Sequence, residues 1–137
     1  MAAVEVLGID HVVLRVADLD RALRFYCDVL NCREERRLTP LGLVQLRAGT
    51  GLIDLVDATG PLGKLGGGAP GKTGRNVDHV ALRIANFDEG RLRAHLEAHG
   101  VAPGEVGIRY GAEGNGPSMY IQDPDGNTLE LKGPATA

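Results

Sequence analysis

A twelve-residue stretch that the chain contains twice constrains the fold more than any other feature. The first copy covers residues 9–20 (IDHVVLRVADLD) and the second covers residues 77–88 (VDHVALRIANFD), 68 residues later. Seven of the twelve positions are identical, and repetition at such a period is typical of two copies of one supersecondary unit. Each copy carries one histidine, His11 or His79, at the start of an apolar run.

The alternation of side chains predicts that each copy begins with a half-buried strand. In the first copy, apolar Val12, Leu14 and Val16 alternate with His11 and Arg15. One face of this strand is therefore expected to pack on a helix, while the histidine and the arginine face a wetter environment.

A helix is predicted after each of these strands. Asp18 supplies a side-chain oxygen suited to an N-cap, and the first helix is expected to end near Asn31. In the second half we expect a strand over residues 77–84 and a helix over residues 88–99. Further strands are predicted over residues 34–38, 43–47, 52–56, 107–110, 118–122 and 128–132, with a tight turn at 123–127 and a frayed tail from 133.

Each half therefore has the order β-α-β-β-β, and the fold class is α+β. The two tandem modules, about residues 5–57 and 77–133, are expected to form a curved mixed sheet around a cleft, within one domain that spans residues 1–137. One helix covers only one face of each four-stranded unit, which leaves the polar face open.

Residues 58–76 are rich in glycine and proline, which predicts a linker or a flap over the cleft. Within them, residues 66–73 (GGGAPGKT) match the phosphate-binding loop pattern. That motif requires a helix that begins at its Lys-Thr, but Gly74 and a strand follow here. We therefore expect no nucleotide site, and we place Lys72 on an exposed flap.

Composition narrows the classes of protein to consider. The net charge of −3 and the pI near 5.8 argue against a nucleic-acid-binding protein. Residues 1–7 lack a signal-peptide pattern and no apolar run approaches the ~20 residues of a membrane span, so we expect a cytoplasmic protein. The two cysteines, Cys27 and Cys32, are too few for a disulfide framework or a zinc ribbon, and we interpret them as a small core residue and an inert thiol.

The last strand of each half adds a carboxylate to the histidine of the first strand. Glu130 alternates with leucines in the second half, and Asp54 takes the same place in the first half. By alternation, His11, Asp54, His79 and Glu130 all point to the open face. Imidazoles and carboxylates together suit a divalent metal ion.

These residues resemble the vicinal oxygen chelate superfamily, which includes glyoxalase I, bleomycin-resistance proteins, fosfomycin resistance thiol transferases, methylmalonyl-CoA epimerase and extradiol dioxygenases. The resemblance covers residues 9–20 with Phe25-Tyr26, the second copy of the repeat from Val77, and residues 120–131 (YIQDPDGNTLEL). It implies paired β-α-β-β-β modules, often assembled as a homodimer with sites at the interface.

The resemblance also implies the ligands of one divalent metal ion, which would be Ni, Zn, Co, Mn or Fe. It implies that His11, His79 and Glu130 bind the metal, while the position of Asp54 is commonly a Glu ligand in glyoxalase I-like members. Because Asp is one methylene shorter, Asp54 is expected to ligate directly, to act through water, or to orient a neighbour.

The implied chemistry is a metal-stabilised enediolate or alkoxide formed from a small oxygenated substrate. Glu130 is the expected base, with Asp54 as the alternative. Four further side chains are expected to orient the substrate: Arg15, Arg83, Tyr120 and Lys132.

We therefore interpret the chain as a glyoxalase-type lyase or isomerase, with two alternatives. A fosfomycin-type thiol transferase agrees with Tyr120 and Glu113-Gly114, but such enzymes have Thr where this chain has Val13. A drug- or metabolite-binding protein of the bleomycin-resistance kind does not need the metal ligands. His95 and His99 stand four residues apart on the second helix, and we expect a partly buried helix face there rather than a metal site.

Overall fold

The chain forms two compact units that divide between Ala69 and Pro70. The computed structural model describes residues 3–136. No helix among these residues is long and apolar enough to span a membrane.

The first unit contains four strands and one helix. They are β1 (His11–Val16), α1 (Leu19–Arg24), β2 (Arg33–Leu38), β3 (Leu43–Ala48) and β4 (Gly51–Asp57). The strand order in the sheet is β1-β4-β3-β2, with β1 parallel to β4 and the other neighbours antiparallel. The charged strand β2 lies at the edge of the sheet, as its sequence predicts.

The second unit repeats this topology. Its elements are β5 (Val80–Arg83), α2 (Glu89–Ala98), β6 (Val106–Gly111), β7 (Gly114–Gln122) and β8 (Thr128–Lys132). The strand order is β5-β8-β7-β6, with β5 parallel to β8. Two units of the order β-α-β-β-β confirm the predicted α+β fold, while their arrangement around a cleft stays a prediction.

Both helices begin at the predicted aspartates. Asp18 accepts a hydrogen bond from the Arg21 amide at 3.0 Å, and Asp88 accepts one from the Arg91 amide at 3.1 Å. The helix α1 continues as a π-helical turn (Phe25–Val29), and the chain leaves it through Asn31 in the left-handed region at φ 58°. The first helical segment therefore ends where it was expected.

The alternation within the strands places the core of the first unit on one face of its sheet. Leu14 of β1, Leu46 of β3 and Leu55 of β4 are fully buried, together with Tyr26 after α1. Because successive side chains point to opposite faces, His11 of β1 and Asp54 of β4 fall on the other face.

Two predictions of local structure were wrong. The strand expected over residues 77–84 is shorter, since β5 begins at Val80. The tail, which was predicted to fray from residue 133, is hydrogen-bonded to β7 up to residue 136. The Gly133 amide donates to the Pro117 carbonyl at 2.8 Å, and the Thr136 amide donates to the Asn115 carbonyl at 2.7 Å. Backbone hydrogen bonds thus extend the β7–β8 pairing beyond Lys132, which composition alone did not indicate.

Candidate metal-binding residues

The second unit brings one histidine and one carboxylate into contact. Ala81 of β5 lies beside Glu130 of β8 in the parallel register, and His79 precedes Ala81 by two residues on the same face. The His79 Nε2 atom lies 3.3 Å from Glu130 Oε1, and Glu130 is buried. Two ligands of one tetrahedral ion with bonds of 2.0–2.1 Å are about 3.3–3.4 Å apart, so this pair has the separation of two metal ligands.

The first unit places Asp54 in the equivalent position. Val13 of β1 lies beside Asp54 of β4, as Ala81 lies beside Glu130. Asp54 is only 4% exposed, and its Oδ2 atom accepts a hydrogen bond from Gln45 Nε2 at 3.1 Å. Its Oδ1 atom is buried and finds no hydrogen-bond donor among residues 3–136. A buried carboxylate oxygen without a partner fits a side chain that has a cation to bind.

A carboxylate holds the other ring nitrogen of each histidine. His11 Nδ1 lies 2.6 Å from Asp10 Oδ1, and His79 Nδ1 lies 2.7 Å from Asp78 Oδ2. The hydrogen bond to Asp10 raises the pKa of His11, and the hydrogen bond to His79 lowers the pKa of Asp78. Histidines that bind metals usually donate their second N–H to such a partner, which fixes the tautomer that leaves Nε2 free to coordinate.

Sequence reasoning missed this role of Asp10 and Asp78, although the signal was present. Both copies of the repeat contain the dipeptide Asp-His, so the same pair of side chains recurs in each unit. Gln45 was also missed, and it occupies beside Asp54 the place that Tyr120 occupies beside Glu130.

The guanidinium of Arg15 donates hydrogen bonds to carbonyl groups of the glycine-rich loop (residues 58–76). Its Nε atom donates to the Gly63 carbonyl at 2.8 Å, and Nη2 donates to the carbonyls of Gly67 and of Gly68, the latter at 3.0 Å. A Cβ atom on Gly66 would come within 2.6 Å of Arg15 Nε, so a larger residue there would displace the arginine side chain. A short 3-10 helix (Gly63–Gly66) orders this part of the loop, and substrate binding by Arg15 stays a prediction.

The other three expected substrate residues lie in the second unit. Arg83 lies 3.4 Å from Glu113 on an exposed surface. The ring of Tyr120 stands edge-on to His79, with centroids 5.4 Å apart. Lys132 is buried, and its Nζ donates to the Gly133 carbonyl at 3.0 Å.

The helix face that carries His95 and His99 is more exposed than predicted. Both side chains are exposed, so the predicted partly buried helix face was wrong. Leu96 is the buried residue of α2, and Arg93 of the same helix donates a hydrogen bond to the Gly104 carbonyl at 3.1 Å. The two rings lie 4.6 Å apart, and His99 Nδ1 donates to the His95 carbonyl at 2.9 Å.

Each unit by itself therefore presents one histidine and one carboxylate of the predicted set. Among the residues that the structure describes, no group of three or more His, Cys, Asp or Glu side chains is close enough to hold a metal ion. The donors that are present, imidazole nitrogen and carboxylate oxygen, are chemically suited to a divalent ion.

Comparisons with known proteins extend over nearly the whole chain. Residues 8–131 match the model of the Glyoxalase/Bleomycin resistance protein/Dioxygenase superfamily. An integron cassette protein of V. cholerae is 27% identical, with 96% of this chain and 98% of that chain covered and a TM-score of 0.74. The lactoylglutathione lyase of Agrobacterium tumefaciens is 26% identical, with 93% of both chains covered and a TM-score of 0.61.

A third similar structure shares the fold at lower identity. The fosfomycin resistance protein FosX of Listeria monocytogenes, solved with Mn(II) and sulfate, is 20% identical, with 96% of this chain and 93% of that chain covered and a TM-score of 0.69. With the match to the family model, the repeated topology and the two histidine–carboxylate pairs, the chain belongs to the Glyoxalase/Bleomycin resistance protein/Dioxygenase superfamily.

Proposed function

We propose that this chain is a metal-dependent enzyme of the glyoxalase type, a lyase or isomerase that acts on a small oxygenated substrate. The observation that carries the proposal is the duplicated pair of a histidine and a buried carboxylate, His11 with Asp54 and His79 with Glu130. In both pairs a second carboxylate holds the histidine through Nδ1, as in established metal sites.

The proposed ligands of one divalent ion are His11, His79 and Glu130. Asp54 either ligates directly, acts through water or orients a neighbour. Its Oδ1 atom has no donor among residues 3–136, which favours a direct role. Ni, Zn, Co, Mn and Fe all accept such a mixed nitrogen and oxygen set.

The metal would polarise a substrate oxygen and stabilise negative charge on it. Glu130 would accept the proton that leaves the adjacent carbon, a role typically worth about 10²–10⁴-fold in rate. Among residues 3–136 each carboxylate has one polar side-chain partner: Glu130 contacts His79, and Asp54 accepts a hydrogen bond from Gln45. Asp54 is the alternative base.

The first substrate class to test follows from a relative. The Agrobacterium tumefaciens protein that is 26% identical to this chain is a lactoylglutathione lyase, which supports a screen that begins with hemithioacetals. Epoxides with a thiol and epimerisable acids complete the screen, because the same electrophilic site serves each of these reactions.

Metal analysis of the untagged chain by mass spectrometry, followed by titration of the stripped chain, tests the proposal. We expect about one tightly bound ion per chain and a loss of affinity of at least tenfold in His79→Ala and Glu130→Gln, since each removes a ligand. His99→Ala is the matched control, because His99 is an exposed histidine outside the proposed set. Unchanged affinity in His11→Ala or His79→Ala would exclude a shared metal, and the binding-protein interpretation would replace the enzyme.

Mixing two variants that each lack one histidine ligand distinguishes a metal site within one chain from a metal site shared by two chains of a homodimer. The variant His11→Ala retains His79, and the variant His79→Ala retains His11. If a ligand set combines residues of two copies, subunit exchange restores metal binding at one site of each mixed dimer. If each chain supplies its whole set, the mixture binds no metal.

A further inference from the structure

Lys132 is a buried cation without an acidic partner. The residue is only 7% exposed, and its ammonium makes one hydrogen bond, to the Gly133 carbonyl at 3.0 Å. It forms no ion pair with a carboxylate in the described part of the chain. An ammonium has three donors, and one of them has an acceptor among residues 3–136.

Two glycines make room for this side chain. A Cβ atom on Gly111 would lie 3.3 Å from Lys132 Cε, and one on Gly116 would lie 3.0 Å from Lys132 Nζ. The same Cβ on Gly116 would lie 2.4 Å from the Pro134 carbonyl oxygen. The sheet therefore has a gap in its side-chain layer above these glycines, and the ammonium of Lys132 occupies it.

Arg109 is a second cation on the same face. Its Nη1 atom donates to the Ser118 carbonyl at 2.8 Å and to Ser118 Oγ at 2.7 Å, and its guanidinium carbon lies 4.5 Å from the centroid of the Tyr120 ring. Ser118 lies directly opposite Lys132 in the β7–β8 register, and Arg109 lies opposite Gly116 in the β6–β7 register. Arg109 also makes no ion pair with an acidic side chain among residues 3–136.

A buried ammonium is costly unless an anion compensates it, and an apolar side chain of similar volume would suit a purely structural position better. We propose that Lys132 and Arg109 bind the anionic group of the substrate, a carboxylate or a phosphoryl group. This inference names the substrate class of the proposed metal site and rests on that proposed function.

The spacing of the strand connects this anion site to the proposed metal ligands. Glu130 and Lys132 are two residues apart on one face of β8, which separates their Cα atoms by roughly 7 Å, and the side chain of Lys132 lies over Gly116 and Gly111. A substrate that reaches both groups would hold its reacting oxygen near His79 and Glu130 and its anionic group at Lys132. The substrate is therefore a small organic acid rather than a neutral carbonyl compound.

Calorimetric titration of the full chain with inorganic phosphate and with acetate tests the inference. The titrations are made on the protein as isolated and after removal of metal, so that anions bound by a metal ion are recognised. We expect Lys132→Met to weaken binding of the preferred anion by about 10- to 100-fold, because a hydrogen bond to a charged group is lost. Lys64→Met is the matched control, since Lys64 is exposed.

The outcomes separate this inference from the proposed function. Loss of anion binding in Lys132→Met, with metal affinity retained and Lys64→Met unchanged, supports the anion site. If the wild-type chain binds neither anion, or Lys132→Met binds it as tightly, the anion site is refuted whether or not metal binds. If anion binding depends on Lys132 but no metal binds, the proposed enzyme is refuted and the anion site stands.

A second variant tests the inference in case Lys132→Met does not fold. Arg109→Gln leaves Lys132 in place and removes the other cation, so it is expected to weaken the same anion by about tenfold. Affinity equal to the wild-type value in Arg109→Gln would refute the shared role of the two cations. The preference for phosphate or acetate then tells whether the anionic group is a phosphoryl group or a carboxylate.

Discussion

Replacement of Asp54 by Asn is expected to stabilise the metal-free chain while it weakens metal binding. Asp54 is buried, Gln45 donates to its Oδ2 atom, and its Oδ1 atom has no donor within the described residues. A buried polar group without a partner costs about 1–3 kcal/mol, and a charged one costs more than a neutral amide. The substitution removes the charge and keeps the shape, so the metal-free fold loses part of this penalty.

The expected gain is about 1 kcal/mol, the difference between an unpaired carboxylate oxygen and an unpaired amide group. For a chain of this size, that free energy raises Tm by roughly 3–5 °C. With metal at about 100 times its Kd, the wild-type chain gains about 2.7 kcal/mol from binding, and the variant gains less. If the substitution weakens metal binding tenfold, the variant gains only about 1.4 kcal/mol at the same metal concentration. Its stability then falls about 0.3 kcal/mol below that of the loaded wild-type chain, so the sign of the effect reverses.

Thermal unfolding of the stripped and the loaded proteins measures both effects. Asp123→Asn is the matched control, because Asp123 is equally buried but its oxygens accept hydrogen bonds from the Asp125 amide, the Asn127 amide and Asn127 Nδ2 at 2.8–2.9 Å. In this control the new side-chain NH₂ group at position 123 would face the Asn127 side-chain NH₂ group, and two donors cannot form a hydrogen bond. The free energy of unfolding of the control is therefore expected to fall by about 1.5–3 kcal/mol.

A metal-free Asp54→Asn variant that is destabilised as much as Asp123→Asn would refute the reasoning. Asp54 would then be a structural carboxylate whose charge the folded chain stabilises, and the proposal that Asp54 belongs to the metal site would be rejected.

Three further predictions concern the carboxylate that holds His79, a buried cysteine and the glycine-rich loop. Asp78→Asn is expected to weaken metal binding by about 10–100-fold without unfolding the chain, because Asp78 holds His79 through Nδ1. The ¹⁵N spectra of the metal-free variant should then show a second imidazole tautomer. Spectra identical to those of the wild-type chain would contradict an orienting role of Asp78. Burial, with a smaller contribution from Cys27, raises the pKa of Cys32 to about 11 from 9.0. The unfolded chain therefore loses the Cys32 thiol proton at lower pH than the folded chain, so the free energy of unfolding falls between about pH 9 and 11. A Cys32→Ser variant with the same alkaline decline in stability would refute this cause. Arg15→Met is expected to speed tryptic cleavage in the glycine-rich loop, whereas Arg83→Met, which removes an exposed arginine, is not.

Sequence periodicity determined most of the fold. Repetition of the stretch around His11 and His79 predicted two equal units. Period-two alternation and turn signals located most strands to within one residue at each end, although β7 begins at Gly114, four residues before its predicted start. Alternation is a local property of the backbone, so it is visible in the sequence. It failed for β5, whose short pairing depends on β8, and for the tail, whose hydrogen bonds depend on β7.

The sequence by itself also determined which face of each sheet carries His11, Asp54, His79 and Glu130, because a face follows from the parity of a position in a strand. Only the tertiary structure decided the contacts on that face. Three contacts depend on the register between neighbouring strands: the hydrogen bond from Gln45 to Asp54, the lack of a donor to Asp54 Oδ1 among residues 3–136, and the burial of Lys132 above Gly116. Register is set by the packing of whole strands, and for that reason the chemistry of the site had to be found in three dimensions.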